Sequence, residues 1–233
     1  MDDLFTDRSI RDRIMDRPAI EALGNGAAGN GAQTLIGCDL EGADLSRLDL
    51  SGWIFERCTL RRADLAGARL ERTVWRSCRG AFANFTGCDL SEAAFAASDF
   101  NNGSMKRATL EAARFTGCKL TGVDFSESRA LDLHFEETLL INAKLAGRSF
   151  HKAKLLRLDF SQADLRKCDF RMASFEDCSL RDAVVDGARF EGADLRGADL
   201  GGIRLDDASR FRGATISRAQ AAQLLSEVGL KVS

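Results

Sequence analysis

Seven cysteines, two histidines and 35 carboxylate side chains are the groups of this 233-residue chain that could do chemistry. Cys38, Cys58 and Cys78 recur at a fixed interval, with Cys88, Cys118, Cys168 and Cys178 further along. Thiols bind zinc when they come as C-x-x-C pairs or with histidine partners, and neither arrangement occurs here. An odd number of cysteines also cannot pair completely as disulfides. His134 and His151 stand alone, and the chain has no G-x-S-x-G elbow, no phosphate loop and no Ser/His/Asp grouping at informative spacing. The carboxylates are numerous, but twelve are aspartates at one position of an internal repeat. The chemistry-bearing residues therefore predict no enzyme, no metal and no cofactor, and the cysteines read as small buried apolar groups.

The repeat sets the positions of all these groups. From Leu35 to Leu205, every fifth residue is large and apolar at all but two of 35 places, Gly80 and Ala130. Five is neither the helical period of 3.6 nor the strand period of 2. Two residues before each apolar position sits a small one, such as Ala63, Ala93, Ala163 or any of the seven cysteines. The residue between is polar, which gives the consensus A-D-L-x-x seen in Ala63-Asp64-Leu65-Ala66-Gly67 and Ala193-Asp194-Leu195-Arg196-Gly197. A stacked solenoid turns such a pattern into a continuous core, because each turn pairs its backbone with the turns above and below.

On these motifs the chain resembles the pentapeptide repeat family over roughly three quarters of its length. The resemblance implies an all-β solenoid, a right-handed quadrilateral β-helix with one repeat per side and four per coil, hence nearly nine coils from 35 repeats. It also implies that both inward series share a narrow lumen.

Three segments follow. Residues 1–32 are expected as a flexible N-terminal segment, with a short helix broken near Pro18 and a linker running from Gly24 to Gly31. Residues 33–208 form the β-helix, and residues 209–233 a helical cap or dimerisation segment. Ser217-Arg218-Ala219-Gln220 reads as a capping box, Gly229 as the C-terminal stop, and Leu230 as its apolar partner. Ala221, Leu224, Leu225, Val228 and Leu230 are the candidate cap and dimer residues. This end is similar to the C-termini of MfpA- and Qnr-type members of the family, which implies a homodimer through the helix.

No run of 18 apolar residues and no apolar leader is present, so neither a membrane span nor export is expected, and a reducing cytoplasm suits the thiols. The net charge is −2 and the pI about 5.8, which argues against direct nucleic-acid binding. Residues 33–207 hold 28 acidic and 25 basic residues, a balance of −3. The repeat is least regular at 128–150, where Ala130 replaces a core residue and Leu133 and Arg148 take small inward places. A buried guanidinium there must leave the lumen by a bulge or a side swing. This stretch is the candidate partner site, with Arg129, His134, Glu136, Glu137, Arg148 and His151. The function expected is a protein-binding scaffold or adaptor. The alternative implied by the resemblance is a DNA mimic that binds DNA gyrase or topoisomerase IV and protects it from quinolones. A duplex mimic needs a negative field along its length, and the near-neutral count stands against it.

Overall fold

The computed structural model describes residues 9–24, 32–203, 208–227 and 229–231. Its elements are short strands, one per coil, joined by corners. They are β1 (Ile10–Arg11), β2 (Thr34–Ile36), β3 (Ile54–Glu56), β4 (Val74–Arg76), β5 (Ala94–Ala96), β6 (Arg114–Thr116), β7 (His134–Glu136), β8 (Lys154–Leu156) and β9 (Ser174–Glu176). Two further strands, β10 (Cys178–Ser179) and β11 (Ala198–Asp199), follow, with helices α1 (Arg17–Gly24) and α2 (Arg218–Glu227) near the ends. The chain divides into a first unit, up to Lys119 with Glu127–His134, and a second, Leu120–Ser126 with Phe135 onward.

Each unit is a parallel β-solenoid. In the first, Thr34 pairs with Ile54, Ile54 with Val74, Val74 with Ala94 and Ala94 with Arg114, each step advancing by four repeats. The other sides are single bridges in the same register, such as Asp39 to Thr59 to Arg79 to Asp99 to Lys119. In the second unit β8 pairs with β9 and β10 with β11, again with a four-repeat step. A coil of four five-residue repeats is four-sided, as the resemblance implies.

The corners explain why five residues suffice for a side. Among the described repeats the residue two after the large apolar one has a positive φ at every corner but Gly197, whether glycine, as at Gly42 (φ +65°), or not, as at Arg62 (φ +57°). That left-handed residue turns the chain. On three sides an i→i+3 bond closes the corner, for example the Ala43 amide donating to the Leu40 carbonyl at 3.1 Å. The large apolar residue and the small one before the polar residue both point into the lumen. Leu45, Leu65, Phe85 and Ala83 are fully buried in the first unit, and Phe160, Leu165, Ala163 and Cys168 in the second. Aromatic rings stack along the lumen: Phe55 on Trp75 at 4.1 Å, and Phe150 on Phe170 at 4.9 Å.

Several expectations are corrected. Residues 9–24, expected as flexible, lie on the first coil: β1 pairs with β2, and Ile14 bridges Asp39. Pro18 does not break α1. It sits in the first turn, where a missing N–H costs no bond, and Asp16 caps that turn by accepting from the Ala19 amide at 3.0 Å. Ile20 is 1% exposed and Met15 is buried, so this segment has a packing reason to order. Linker residues 25–31 and Leu4 lie outside the described residues.

The two units together hold about eight turns, where counting repeats predicts nearly nine. Leu205, the last repeat, falls among residues 204–207, outside the described residues. The ladder nevertheless continues past Asp207. Asp194 bridges Thr215, one residue beyond the regular step, and Phe211 stacks on Phe190 at 4.9 Å. A single extra residue before Arg210 shifts the register by one and hides these residues from a count by fives.

At Arg148 the backbone stays regular and the side chain moves. Its amide donates to Leu145 at 3.1 Å and its carbonyl accepts from Asp169 at 2.8 Å, so there is no bulge. The guanidinium turns to donate from Nη2 to the Phe125 carbonyl at 2.6 Å, and burial lowers its pKa.

Candidate functional site

The repeat aspartates show what the recurrent carboxylates do. In all twelve, Oδ1 accepts a hydrogen bond from the backbone amide two residues on, from Asp39 with Glu41 (2.9 Å) to Asp199 with Gly201 (3.0 Å). Each aspartate therefore fixes the corner that follows it, as short polar side chains do in Asx turns. This is a backbone role and not an acid–base one.

In the second unit five of these carboxylates also meet a cation: Asp124, Asp164, Asp169, Asp194 and Asp199. Arg166, Arg171 and Arg196 each fork onto the aspartate two residues before, with Nε on Oδ1 and Nη2 on Oδ2 at 2.6–2.9 Å. The fork is a bidentate charge-assisted pair. Hydrogen bonding from Arg171 and Arg196 holds Asp169 and Asp194 down to about 2. Lys144, Lys154, Arg157, Arg181 and Arg189 reach carboxylates as well.

The sign of the pH effect follows. These carboxyls have folded pKa values below the usual 3.8, so their contribution is complete above that value and is lost as pH falls towards 2. The thermal midpoint is expected to drop between pH 4 and pH 2, and the double variant Asp169→Asn with Asp194→Asn to show a shallower drop. A melting series in which wild type and variant fall in parallel would contradict it.

In the first unit Arg17, Arg57, Arg69 and Lys106 hold carboxylates, but other cations stay open. Among the described residues, Arg61, Arg79 and Lys119 form no ion pair, although each is exposed. They line one groove of about 650 Å³ with Glu41, Asp99 and Phe82. Phe82 is 50% exposed at a left-handed corner (φ +62°), and the Arg62 guanidinium lies 6.0 Å above its ring. Sequence reasoning finds no basic stripe because these cations are scattered along the chain, several repeats from one another. Only the four-repeat register brings Arg79, Asp99 and Lys119 into one row.

The expected partner residues are distributed over both units. Arg129 and His134 belong to the first and are exposed, Arg129 bridging Thr109. In the second, Glu136 and Glu137 are exposed on and after β7, with Glu137 ion-paired to Arg157. Arg148 is half-buried against Phe125, and His151 is exposed beside Ser149, whose Oγ accepts from the His151 amide at 3.4 Å.

At the C-terminal end the capping box forms as the sequence predicts. The Ser217 amide donates to Gln220 Oε1 at 2.6 Å, and the Gln220 amide to Ser217 Oγ at 3.2 Å. Gln220 has a second role that the sequence does not reveal. Its buried Nε2 donates to the carbonyls of Leu195 and Ala198, both at 2.7 Å, and so closes groups left open at the end of a stack. Gly229 (φ +84°) donates to Ser226 and Leu230 to Leu225, the two bonds of a Schellman stop. Leu224 is 8% exposed and helps line an apolar hollow of about 160 Å³ with Leu195, Leu200, Ile203 and Phe211. Ala221 is half-buried, Leu225 and Leu230 are 42% and 56% exposed, and Val228 lies outside the described residues.

None of the seven cysteines forms a disulfide and all are buried, and burial pushes Cys88 and Cys168 up to about 12 and Cys118 to about 11. Thiolate is the reactive form, so the folded protein is expected to resist a thiol reagent at pH 8 and to label at all seven sites only in denaturant. Rapid labelling of the native chain, followed spectrophotometrically, would contradict their burial. Among the described residues no group of three or more metal-ligating side chains could hold an ion, and no helix is long and apolar enough to cross a membrane.

Against known sequences, the family profile described as "Pentapeptide repeats" matches in eight copies over residues 32–62, 58–93, 88–127, 134–171, 173–209 and 186–221. No protein of curated function matches. Among solved structures, a trypsin-treated variant of QnrB1, a plasmid-mediated fluoroquinolone resistance protein, is similar at 19% identity. That alignment covers 97% of this chain and 98% of the other, with a TM-score of 0.49. HetL, a pentapeptide repeat protein involved in heterocyst differentiation regulation from the cyanobacterium Nostoc, aligns at 19% identity over 83% of this chain and 87% of its own, with a TM-score of 0.44.

Proposed function

The chain belongs to the pentapeptide repeat family, and from that premise we propose that it is a non-enzymatic scaffold or adaptor that binds protein partners on the outward faces of its coils. The observation that carries this reading is the use of the repeat carboxylates. All twelve aspartates are engaged by their own corners, so the abundant acidic groups build flat faces rather than a reaction centre. Those faces carry rows of outward side chains in strict register from coil to coil, a surface suited to recognition. Buried thiols with no disulfide among them suit a reducing cytoplasm.

The gyrase-modulating DNA mimic is the second reading, and the ion pairs weigh against it. Asp164, Asp169 and Asp194 are each closed by an arginine fork, which cancels field where a mimic needs it. Gyrase supercoiling with increasing protein, with and without a quinolone and at two salt concentrations, separates the readings. The scaffold reading expects no effect. Inhibition or quinolone protection that weakens with salt would replace it with the mimic. The scaffold itself is tested by photo-crosslinking from outward positions such as Ala94 and Lys154, with the crosslinked protein identified by mass spectrometry. A single protein crosslinked in stoichiometric yield supports it, and no crosslink from any face overturns it.

We further propose a homodimer through the C-terminal end, supported by exposed Leu225 and Leu230 beside the apolar hollow under Leu224. Leu225→Asp with Leu230→Asp is expected to give folded monomers whose melting midpoint falls only by the loss of association, since neither side chain is packed within the chain itself. Leu224→Asp is expected to lower the midpoint further, because Leu224 is buried. Sedimentation that finds the same assembly in wild type and in the Leu225/Leu230 variant would sink the interface.

A further inference from the structure

The groove of the first unit combines open cations with an exposed aromatic ring. Arg61, Arg79 and Lys119 line it without ion pairs, whereas eight cations of the second unit hold carboxylates. Phe82 adds an exposed ring at its edge, steadied by Arg62. We propose that this groove docks an extended acidic segment of a partner protein, one that alternates carboxylates with apolar side chains. This rests on the scaffold reading and names the chemistry of its partner.

The charges favour a peptide over a nucleic acid. The lining also holds Glu41 and Asp99, which leave room for separate carboxylates but oppose a continuous line of phosphates. Asp99 accepts from the Asn101 amide through Oδ1 at 3.1 Å and makes no ion pair with either neighbour in the row among the described residues, so three cations face two carboxylates in the lining. Arg79 and Lys119 flank Asp99 in that row, one coil to either side, and are therefore about 10 Å apart along the stack at the ordinary strand spacing. Phe82 offers the peptide's apolar side chains a surface that a phosphate backbone would not use. Exposed cation–carboxylate pairs are individually weak and fall with salt, so the affinity must come from several acting together.

Fluorescence anisotropy of the full chain with a labelled octapeptide of alternating glutamate and leucine tests this. Saturable binding that weakens with salt is expected, with no binding of the same peptide carrying glutamine for glutamate. Arg79→Ala with Lys119→Ala is expected to weaken binding about tenfold, the loss of two ion pairs at the upper end of their exposed strength. Arg107→Ala with Arg114→Ala removes the same charge outside the groove and is expected to change binding by less than about twofold. Equal melting midpoints check that both variants fold. The proposal is overturned by absent peptide binding, by equal binding of the glutamine peptide, by tighter binding of an oligothymidylate, or by equal losses in the two variants. Those outcomes leave the scaffold reading intact, because crosslinking from the other faces reads it independently.

Discussion

Trp75→Ala is expected to lower the stability of the first unit by about 3–5 kcal/mol, the range for removing a large buried aromatic side chain. Trp75 is fully buried and holds the centre of an aromatic column. It stacks on Phe55 at 4.1 Å and on Phe95 at 5.6 Å, and meets Phe85 and Phe100 edge-on at 5.8 and 5.9 Å. Its Nε1 donates to Thr73 Oγ1 at 3.0 Å, and Thr73 in turn donates to the Leu70 carbonyl at 2.7 Å. The alanine variant thus leaves a cavity in a stack whose coils contact only their neighbours, and it also removes the partner of a buried hydroxyl. Trp75→Phe keeps a ring in the stack but removes the N–H and part of the ring volume, so it is expected to cost about 1–2 kcal/mol, less than the alanine change. Urea unfolding followed by circular dichroism measures both. An alanine loss below about 1 kcal/mol would show that the lumen is not packed around this ring.

The second large effect runs against the repeat itself. Gly80 occupies a place where the consensus asks for a large apolar residue, and Gly80→Leu would restore the pattern. It is nevertheless expected to destabilise by about 1–3 kcal/mol or more, as overpacking does. A Cβ at residue 80 would lie 2.2 Å from Cε1 and 2.3 Å from Cδ1 of Phe100, whose ring fills the space that the glycine leaves. Phe100 cannot yield easily, being in edge contact with Trp75, Phe85 and Phe95. Phe100→Ala alone is expected to cost about 3–5 kcal/mol through its cavity. The double variant is expected to lose clearly less than the sum, with a coupling of about 1–3 kcal/mol, because each change relieves the fault of the other. Additive losses in the double-mutant cycle, or a Gly80→Leu protein more stable than wild type, would show that the ring does not occupy that space.

These two cases mark where reading the chain succeeds and where it stops. A period of five, two inward series and a polar residue between them are local and repeated, so errors at one repeat are outvoted by the rest. They gave a stacked solenoid, the buried cysteines and the structural role of the repeat aspartates, while its four sides came from the resemblance that the repeat carries. The capping box at Ser217 and Gln220 and the stop at Gly229 were legible for a related reason, since each is complete within a few consecutive residues. The order of residues 9–24 was not, because Met15 and Ile20 acquire their burial only against a coil that begins beyond the linker.

What the tertiary structure alone decided depends on side chains one coil away. The amino-acid sequence puts Gly80 and Phe100 four repeats apart, and no periodicity says that one ring will fill the other's place. It gives Arg148 as an intruder in the lumen, but the Phe125 carbonyl that receives it lies in the preceding coil. It counts charges near zero, but pairing closes eight cations of the second unit and leaves Arg61, Arg79 and Lys119 open in the first. It ends the repeat at Asp207, whereas Phe211 and Thr215 extend the ladder with a one-residue shift. The physical reason is common to all four. Backbone pairing fixes which residues stack and is written in the period, whereas rotamers, ion pairs and register shifts are settled by volume and charge across the stack.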